Sequence, residues 1–164
     1  MELWEIVDEN GVGTGKFCKR SERDAIPDGY CHLVVETWVT IGDRVLLTQR
    51  HPDKWAGLQW ETAGGAALAG ESAVEGAVRE LAEETGILVG VDDLSYLGAT
   101  KRGKSLIFSF VTHLDVTPEI SLQPTEVVDH KIVTPDQLDS LSQDLTEGTR
   151  ERWALYRERI VSQN

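Results

Sequence analysis

Residues 65–87 read GAALAGESAVEGAVRELAEETGI, and this stretch decides how the fold is built. From 71 to 85 the apolar residues recur at intervals of three and four, which predicts an amphipathic helix with one buried face. Gly86 follows where a helix C-terminal cap is expected. The stripe predicted to be buried consists of Val74, Ala77, Val78 and Leu81.

The same helix carries Glu80, Glu83 and Glu84 at positions i, i+3 and i+4, so three carboxylates share a neighbouring face. Like charges at this spacing destabilise an isolated helix by roughly 0.2–0.5 kcal/mol a pair. Arg79, solvent or bound cations are the groups that would offset this repulsion. By itself the pattern fits a solvated acidic face or a metal site, because carboxylate oxygens suit Mg²⁺.

Outward from this helix, the chain contains seven runs in which bulky or β-branched residues predict strands. Gly42-Asp43 lies between two of them and predicts a two-residue hairpin turn, whereas the glycine-rich residues 51–70 predict a loop with a short strand. The predicted strands are 3–7, 16–19, 32–41, 44–48, 94–100, 105–114 and 127–133.

Two further helices are predicted after the last strand. Thr134-Pro135 is typical of a short helix start, since proline is favoured in the first turn. Trp153, Tyr156 and Ile160 stand at helical spacing and predict a terminal helix over 146–161, docked on the body of the protein.

The whole chain has 164 residues, with 16 Lys plus Arg against 28 Asp plus Glu. No repeat or linker divides it, so 1–164 is predicted as one domain with its own core. The net charge of -12 argues against a nucleic-acid polymer or an anionic membrane as partner, because basic patches bind phosphate backbones. Cys18 and Cys31 are too few for a disulfide framework, and no signal-like apolar run is present, so we expect a cytoplasmic protein.

Residues 65–87 also resemble the Nudix box, G-x5-E-x7-R-E-U-x-E-E-x-G-U, in which U is a bulky aliphatic residue. Seven fixed residues at a background of roughly 7% each make an accidental match about one in 10⁸ per window. The resemblance implies an α+β protein with the Nudix fold, an α/β/α sandwich around a mixed β-sheet, and a homodimer. The fixed positions are filled by Gly65, Glu71, Arg79, Glu80, Glu83, Glu84 and Gly86.

The resemblance implies a pyrophosphohydrolase that cleaves a nucleoside diphosphate linked to another moiety, or a related organic diphosphate. Mg²⁺, with Mn²⁺ as a substitute, would lie between the glutamates and the substrate phosphates. The Gly64-Gly65 pair would let the backbone turn tightly before the helix, and Arg79 and Glu71 would orient the cluster. The implied metal ligands are the Gly64 carbonyl, Glu80, Glu83 and Glu84, and the implied catalytic residues are Arg79, Glu80, Glu83 and Glu126.

Outside the box, the candidates each have two interpretations. Glu126 precedes the last predicted strand, where the family often supplies a base or ligand, and it also fits an exposed loop glutamate. Lys101, Arg102 and Lys104 would grip phosphates or form a solvated hairpin tip. Trp55, together with Trp60, would stack on a base or belong to the core, and their spacing favours the core.

The amino-terminal half is similar to isopentenyl diphosphate isomerases and to hydrolases that resemble them, through residues 7–11, Gly15, Tyr30-Cys31-His32 and the strand with Trp38. His32 matches a metal-binding histidine of the isomerases, or is a hydrogen-bonded strand residue. Those enzymes place their proton donor in a Cys-Gly-His segment, where this chain has Gly64-Gly65-Ala66, and residues 107–110 lack the isomerases' paired glutamates. Hydrolysis is therefore favoured, and an isomerase-like enzyme and a non-catalytic ligand sensor are the alternatives.

Overall fold

The computed structural model describes residues 1–162, which contain nine strands and three α-helices. Two short 3₁₀ helices, Arg20–Ala25 and Val91–Asp93, lie in the connections. The strands are β1 Leu3–Val7, β2 Gly13–Lys19, β3 Cys31–Ile41, β4 Arg44–Arg50, β5 Trp60–Glu61, β6 Ala63–Ala66, β7 Ser95–Arg102, β8 Ser105–Leu114 and β9 Val127–Val133, and the helices are α1 Ala73–Thr85, α2 Pro135–Ser140 and α3 Glu147–Val161.

Strand β3 is the centre of a mixed sheet. Along one edge it pairs in parallel with β8, from His32 opposite Ser105 to Ile41 opposite Leu114. Its other edge pairs antiparallel with β1, β6 and β4 in turn. Strand β4 then continues the sheet to β9 and β5, and β7 pairs with β8. Strand β3 is therefore the central strand, and its pairings bring residues from distant parts of the chain together.

The helices cover both faces of this sheet. Because side chains alternate along a strand, Val39 of β3 packs with Leu81 of α1 on one face. Trp38 points to the other face and packs with Trp153 of α3, with ring centroids 5.5 Å apart. This arrangement confirms the predicted α/β/α sandwich around a mixed sheet.

Helix α1 differs from its prediction in two respects. It begins at Ala73 because Ser72 caps it: the Ser72 hydroxyl accepts from the Glu75 amide, and the Glu75 carboxylate accepts from the Ser72 amide. The predicted buried stripe is only partly right, since Val74 and Val78 are half-buried while Glu84 is buried. A carboxylate therefore occupies part of the face that packs on the sheet. The left-handed cap at Gly86 is confirmed by its φ of 75°.

The remaining predicted elements are present, with longer ends for β2, β4 and β7 than the pattern indicated. In α3, the buried positions Trp153, Tyr156 and Ile160 are as predicted. Among the helices of residues 1–162, none has the length and apolarity needed to cross a bilayer.

Candidate active site

A cavity of about 610 Å³ lies over β3 and β6, between α1, α3 and the first 3₁₀ helix. Within residues 1–162, its wall contains eight carboxylates and five arginine or lysine side chains. This excess of negative charge disfavours an anionic ligand unless cations accompany it. The carboxylates are Glu2, Asp24, Glu36, Glu61, Glu80, Glu83, Glu84 and Glu126, and the basic residues are Arg20, Arg23, Arg50, Lys54 and Arg152.

Gly64 and Gly65 let α1 approach β6. Both lie in a strand paired with β3, and neither has a positive φ, so the expectation of a tight turn is wrong. A Cβ added to Gly65 would lie 2.6 Å from the carboxylate carbon of Glu80, and one added to Gly64 would overlap the carbonyl oxygen of Val35. Close approach, rather than conformational freedom, therefore explains the glycine pair.

Glu84 is a buried carboxylate with little to offset its charge. It accepts one hydrogen bond, from the Gly64 amide at 3.1 Å. Burial, and then the negative charges of Glu61 and Glu80, raises its pKa well above the ordinary value. Burial also raises the pKa of Glu80, although Arg79 opposes that shift. These carboxylates form a buried, mutually repelling group that a bound cation would stabilise.

Arg79 connects the other carboxylates of α1. Its Nε and Nη2 donate to the two oxygens of Glu71 at 2.6 and 3.0 Å, and its Nη1 donates to Glu80 at 2.8 Å and Glu83 at 3.2 Å. Its Nη2 also donates to the Ala66 carbonyl at 3.0 Å. Burial alone would raise the pKa of Glu71, but the hydrogen bonds from Arg79 and from the Leu68 amide, together with the charge of Arg79, outweigh it and the pKa is lowered. Arg79 thus fixes Glu71 and Glu80 in place.

Glu36 is a buried carboxylate of β3 that the sequence analysis missed. It accepts hydrogen bonds from Trp38 Nε1 at 3.0 Å, from the Thr62 hydroxyl at 3.2 Å and from the Ser109 hydroxyl at 2.7 Å. Its Oε1 also lies 2.8 Å from Nε of Arg152. The signal that would have found it is a lone carboxylate inside a long strand in which apolar and β-branched residues predominate.

The segment between β4 and β5 brings further charged residues to the cavity. Both oxygens of Glu61 accept from Arg50 Nη1, at 2.8 and 2.9 Å, yet burial still raises the pKa of Glu61. Lys54 donates to the carboxylate of Glu126, and both side chains line the wall. No spacing in the sequence pointed to Glu61, because its position depends on the pairing of β5 with β4.

Trp55 and Trp60 have different environments, one in the cavity wall and the other beside the core. Trp55 is 70% exposed and lines the cavity, so its assignment to the core is wrong. The guanidinium of Arg50 lies 6.0 Å from the centroid of the Trp55 ring. Trp60 instead packs against the core cluster beneath α3.

The structure does not bring the basic residues of the β7–β8 hairpin into the wall. Arg102 pairs with Glu147 and Glu151 at the start of α3. Lys104 pairs with Asp28 at 2.8 Å. Lys101 belongs to the same hairpin and, like the other two, is absent from the residues that line the cavity in the described part of the chain.

His32 lies in the wall as a neutral side chain. Burial, with a smaller contribution from the charges of Arg23 and Arg20, lowers its pKa to about 4. Its Nε2 is 2.8 Å from the Ser105 hydroxyl, and its ring stacks on Trp4 with centroids 4.3 Å apart. These contacts agree with a hydrogen-bonded strand residue.

The carboxylates of α1 suit a divalent cation by their chemistry but not by their present side-chain directions. Residues 1–162 contain no group of three or more His, Cys, Asp or Glu side chains already arranged to hold a metal ion. Glu80 and Glu83 are turned to Arg79, and Glu84 to Gly64. The chemistry nevertheless fits a hard cation, because buried carboxylate oxygens with raised pKa values are held together. The side chain of Glu83 is 47% exposed and has room to rotate.

Comparison with known proteins gives consistent matches. Residues 32–156 match the family model described as the NUDIX domain. The chain is 32% identical over 151 residues to an uncharacterized Nudix hydrolase of Listeria monocytogenes, which covers 86% of this chain and 85% of that protein.

Two solved structures share the fold. A protein of Deinococcus radiodurans superposes with a TM-score of 0.71 and 21% identity, over 92% of this chain and 96% of that one. The bifunctional NMN adenylyltransferase/ADP ribose pyrophosphatase of Francisella tularensis, complexed with AMP and a Mn ion, gives 0.65 and 20%, over 78% of this chain and 41% of that one. At these identities the likeness concerns the fold alone.

Proposed function

The chain belongs to the Nudix family of hydrolases, and from this premise we propose that it cleaves the diphosphate linkage of a nucleoside diphosphate joined to another moiety, or of a related organic diphosphate. The observation that carries the proposal is the group of mutually repelling carboxylates in the cavity wall, formed by the buried Glu84 and the half-buried Glu80, whose pKa values are both raised. A cavity of about 610 Å³ is within the range of small-molecule sites.

The charge of the wall requires cations between protein and substrate. Glu80, Glu83 and Glu84, with the carbonyl of Gly64, are the residues that would hold Mg²⁺, or Mn²⁺ in its place. Such ions, when bound, polarise phosphate oxygens and lower the pKa of a bound water. The protein's part is to hold these carboxylates close together and to orient them through Arg79 and the Gly64 amide.

Glu80 is the residue to which we assign the general base. Burial raises the pKa of Glu80 toward neutral pH. A general base is most effective when its pKa is near the pH at which the enzyme works. Arg79 holds one of its oxygens and so sets its direction. The carboxylate of Glu126 is bound to Lys54, so we assign Glu126 to the support of a substrate-binding lysine.

The loop with Arg50, Lys54 and Trp55 supplies a surface for the rest of the substrate. The exposed ring of Trp55 offers a flat face for a nucleoside base or another planar group. Lys54 and Arg50 place positive charge at the same end of the cavity. A small molecule is therefore the proposed substrate, whereas a nucleic-acid polymer would need a basic surface. A homodimer stays a prediction from the family resemblance.

The two alternatives have less support. An isomerase would need a proton donor beside the substrate, and Gly64, Gly65 and Ala66 supply neither thiol nor imidazole. The thiols of Cys18 and Cys31 are buried, and neither cysteine lines the described cavity. The similarity of the amino-terminal half to isomerases therefore stays a resemblance. A ligand sensor would not need a full set of box carboxylates.

The deciding experiment is a panel of organic diphosphates assayed for phosphate-containing products with Mg²⁺ or Mn²⁺. We expect turnover of at least one nucleoside diphosphate derivative and complete loss of turnover in EDTA. Turnover that survives EDTA would contradict the metal requirement. Tight ligand binding in Mg²⁺ with no product from any member would favour the sensor, and an allylic product from isopentenyl diphosphate would favour the isomerase.

A further inference from the structure

The carboxy-terminal helix α3 delivers one side chain to the cavity that the family motif does not include. Arg152 lies in the cavity wall, and its side chain is only 13% exposed. A guanidinium so far out of water requires a counter-charge and hydrogen-bond acceptors. How these requirements are met determines what Arg152 can bind.

Glu36 supplies the counter-charge on one edge of the guanidinium only. Its Oε1 lies 2.8 Å from Nε of Arg152, and both Glu36 oxygens already accept bonds from Trp38, Thr62 or Ser109. Glu36 is therefore held rigidly, and it balances the charge of Arg152 as an ion pair, without a well-aligned hydrogen bond to Nε. Among residues 1–162, no hydrogen bond engages Nη1 or Nη2 of Arg152. Up to four N–H groups are left for a ligand.

The absence of a side chain at Gly148 leaves space for Nη1 and Nη2 of Arg152. A Cβ on Gly148 would lie 2.8 Å from Nη1 of Arg152 and 3.3 Å from Nη2. The three atoms nearest to that position all belong to the guanidinium, so the glycine serves this one side chain. The space lies in the first turn of α3, one turn before Arg152.

We propose that Arg152 is a substrate-binding residue whose terminal amino groups hold an anionic oxygen of the substrate, and that Glu36 is its positioning residue. This inference deepens the proposed function and rests on it. The planar fork of an arginine matches two oxygens of a phosphate or carboxylate. The anion is either a non-bridging oxygen of the diphosphate or a further phosphate on the same substrate.

Position supports this assignment. Glu36 of β3 is opposite Gly64 of β6, and the Gly64 amide binds Glu84. Arg152 and the carboxylates of α1 thus reach the same cavity from opposite faces of the sheet. A substrate whose phosphates approach Glu84 through cations would extend toward a guanidinium whose donors are not used by the protein.

Binding of non-hydrolysable analogues tests the proposal without turnover. Calorimetry in Mg²⁺ would compare α,β-methylene-ADP with the ATP analogue in which methylene groups replace both P–O–P bridging oxygens, so that the two analogues differ by one phosphate, for the unaltered protein and for Arg152→Gln. We expect affinity to fall about ten- to hundredfold, as for loss of a charged hydrogen-bonding group. An equal fall for both analogues places the diphosphate at Arg152, and a fall for the second alone places the further phosphate there.

The matched control is Arg150→Gln, on the same helix. Arg150 is exposed and donates to the Ser142 carbonyl outside the cavity, so its replacement should leave affinity within about twofold. If the unaltered protein binds the analogues and Arg152→Gln binds them equally well, the inference is overturned and the proposed function stands. If the unaltered protein binds neither analogue, the proposed function itself fails.

Two further variants separate binding from a purely structural ion pair. The double variant Glu36→Gln with Arg152→Gln removes both charges, so its thermal stability should exceed that of either single variant while binding stays lost. Gly148→Ala should leave stability unchanged or higher, yet displace Nη1 and weaken binding about fivefold, the equivalent of one hydrogen bond. Normal binding in both variants would show that the pair serves only the fold.

Discussion

Helices α1 and α3 flank the same sheet and present opposite electrostatic situations to one cavity. On α1, Glu84 is buried with one backbone hydrogen bond, Glu80 is half-buried beside Arg79, and the pKa values of both are raised. On α3, the charge of Arg152 is matched inside the protein by Glu36. A bound cation would stabilise the carboxylates of α1, whereas the charge of Arg152 is already balanced by Glu36 and only its hydrogen-bond donors remain for a ligand.

This difference shows which buried functional groups can lack a compensating charge within the protein. An uncompensated buried charge costs folding free energy, so it persists where a ligand supplies the compensation. A compensated charge with free donors costs little and selects ligands by geometry. We therefore expect changes in α1 to act on the rate and on metal dependence, and changes in α3 to act on affinity.

The largest effect is expected from the acidic side. Replacing Glu83 or Glu84 by Gln should lower kcat about 10²- to 10³-fold, because a charged group that stabilises the transition state is lost while the shape is kept. Steady-state kinetics at saturating Mg²⁺ would measure it. The matched control is Glu75→Gln, since Gln at this position preserves the capping box of α1. A kcat within twofold of the unaltered protein for either site variant would contradict the assignment of the reaction rate to the carboxylates of α1.

A smaller loss of rate is expected when Glu80 is displaced instead of removed. In Gly65→Ala the new Cβ would lie 2.6 Å from the carboxylate carbon of Glu80, which would have to move. A displacement of this size should lower kcat about ten- to hundredfold with a lesser change in KM. Gly148→Ala, its counterpart on α3, should raise KM instead.

Gly90→Ala is the control for Gly65→Ala. Gly90 has a φ of −90°, and a Cβ there would approach only the Asp93 carboxylate, at 3.3 Å. Its kcat and KM should be unchanged. If Gly65→Ala and Gly148→Ala changed the same kinetic constant, the two sides of the cavity would not have the separate roles described above.

The pKa of Glu84 leads to a stability prediction for the protein in EDTA. A raised pKa in the folded state means that the contribution of Glu84 to stability is present at low pH, where it is protonated, and is lost as pH rises through that pKa. Glu84→Gln removes this loss. Urea unfolding in EDTA should therefore show a gain of about 1–2 kcal/mol at neutral pH and almost none near pH 4.

Addition of Mg²⁺ should reverse the ranking, since only the unaltered protein would gain the full stabilisation of a bound cation. The same gain for Glu84→Gln at both pH values would show that the carboxylate is not strained by its charge. In that case the contrast between α1 and α3 would lose its electrostatic basis.

The sequence predicted the elements whose signals are local. The period of α1, its cap at Gly86 and the Gly42-Asp43 hairpin depend on neighbouring residues, and the structure contains all three. The pairing of Glu36 with Arg152 joins β3 to the last helix, and no local spacing encodes such a contact. The position of Trp55 likewise depends on how the loop after β4 folds over the cavity.

The smallest effect is expected at the hairpin tip, where sequence proximity and spatial proximity differ. Lys101, Arg102 and Lys104 are the densest basic cluster of the chain, but Arg102 and Lys104 pair with carboxylates outside the wall. Exposed ion pairs of this kind are worth about 0–1 kcal/mol. The triple replacement by Gln should change kcat/KM less than about threefold at physiological salt, because distant charges are screened.

Lys54→Gln is the matched variant in the cavity wall. A larger loss of kcat/KM for Lys54→Gln would show that basic side chains act on the substrate from the cavity, as proposed for Arg152. An equal or larger loss for the triple variant would instead support phosphate binding by the hairpin, which is one of the two interpretations that the sequence left open.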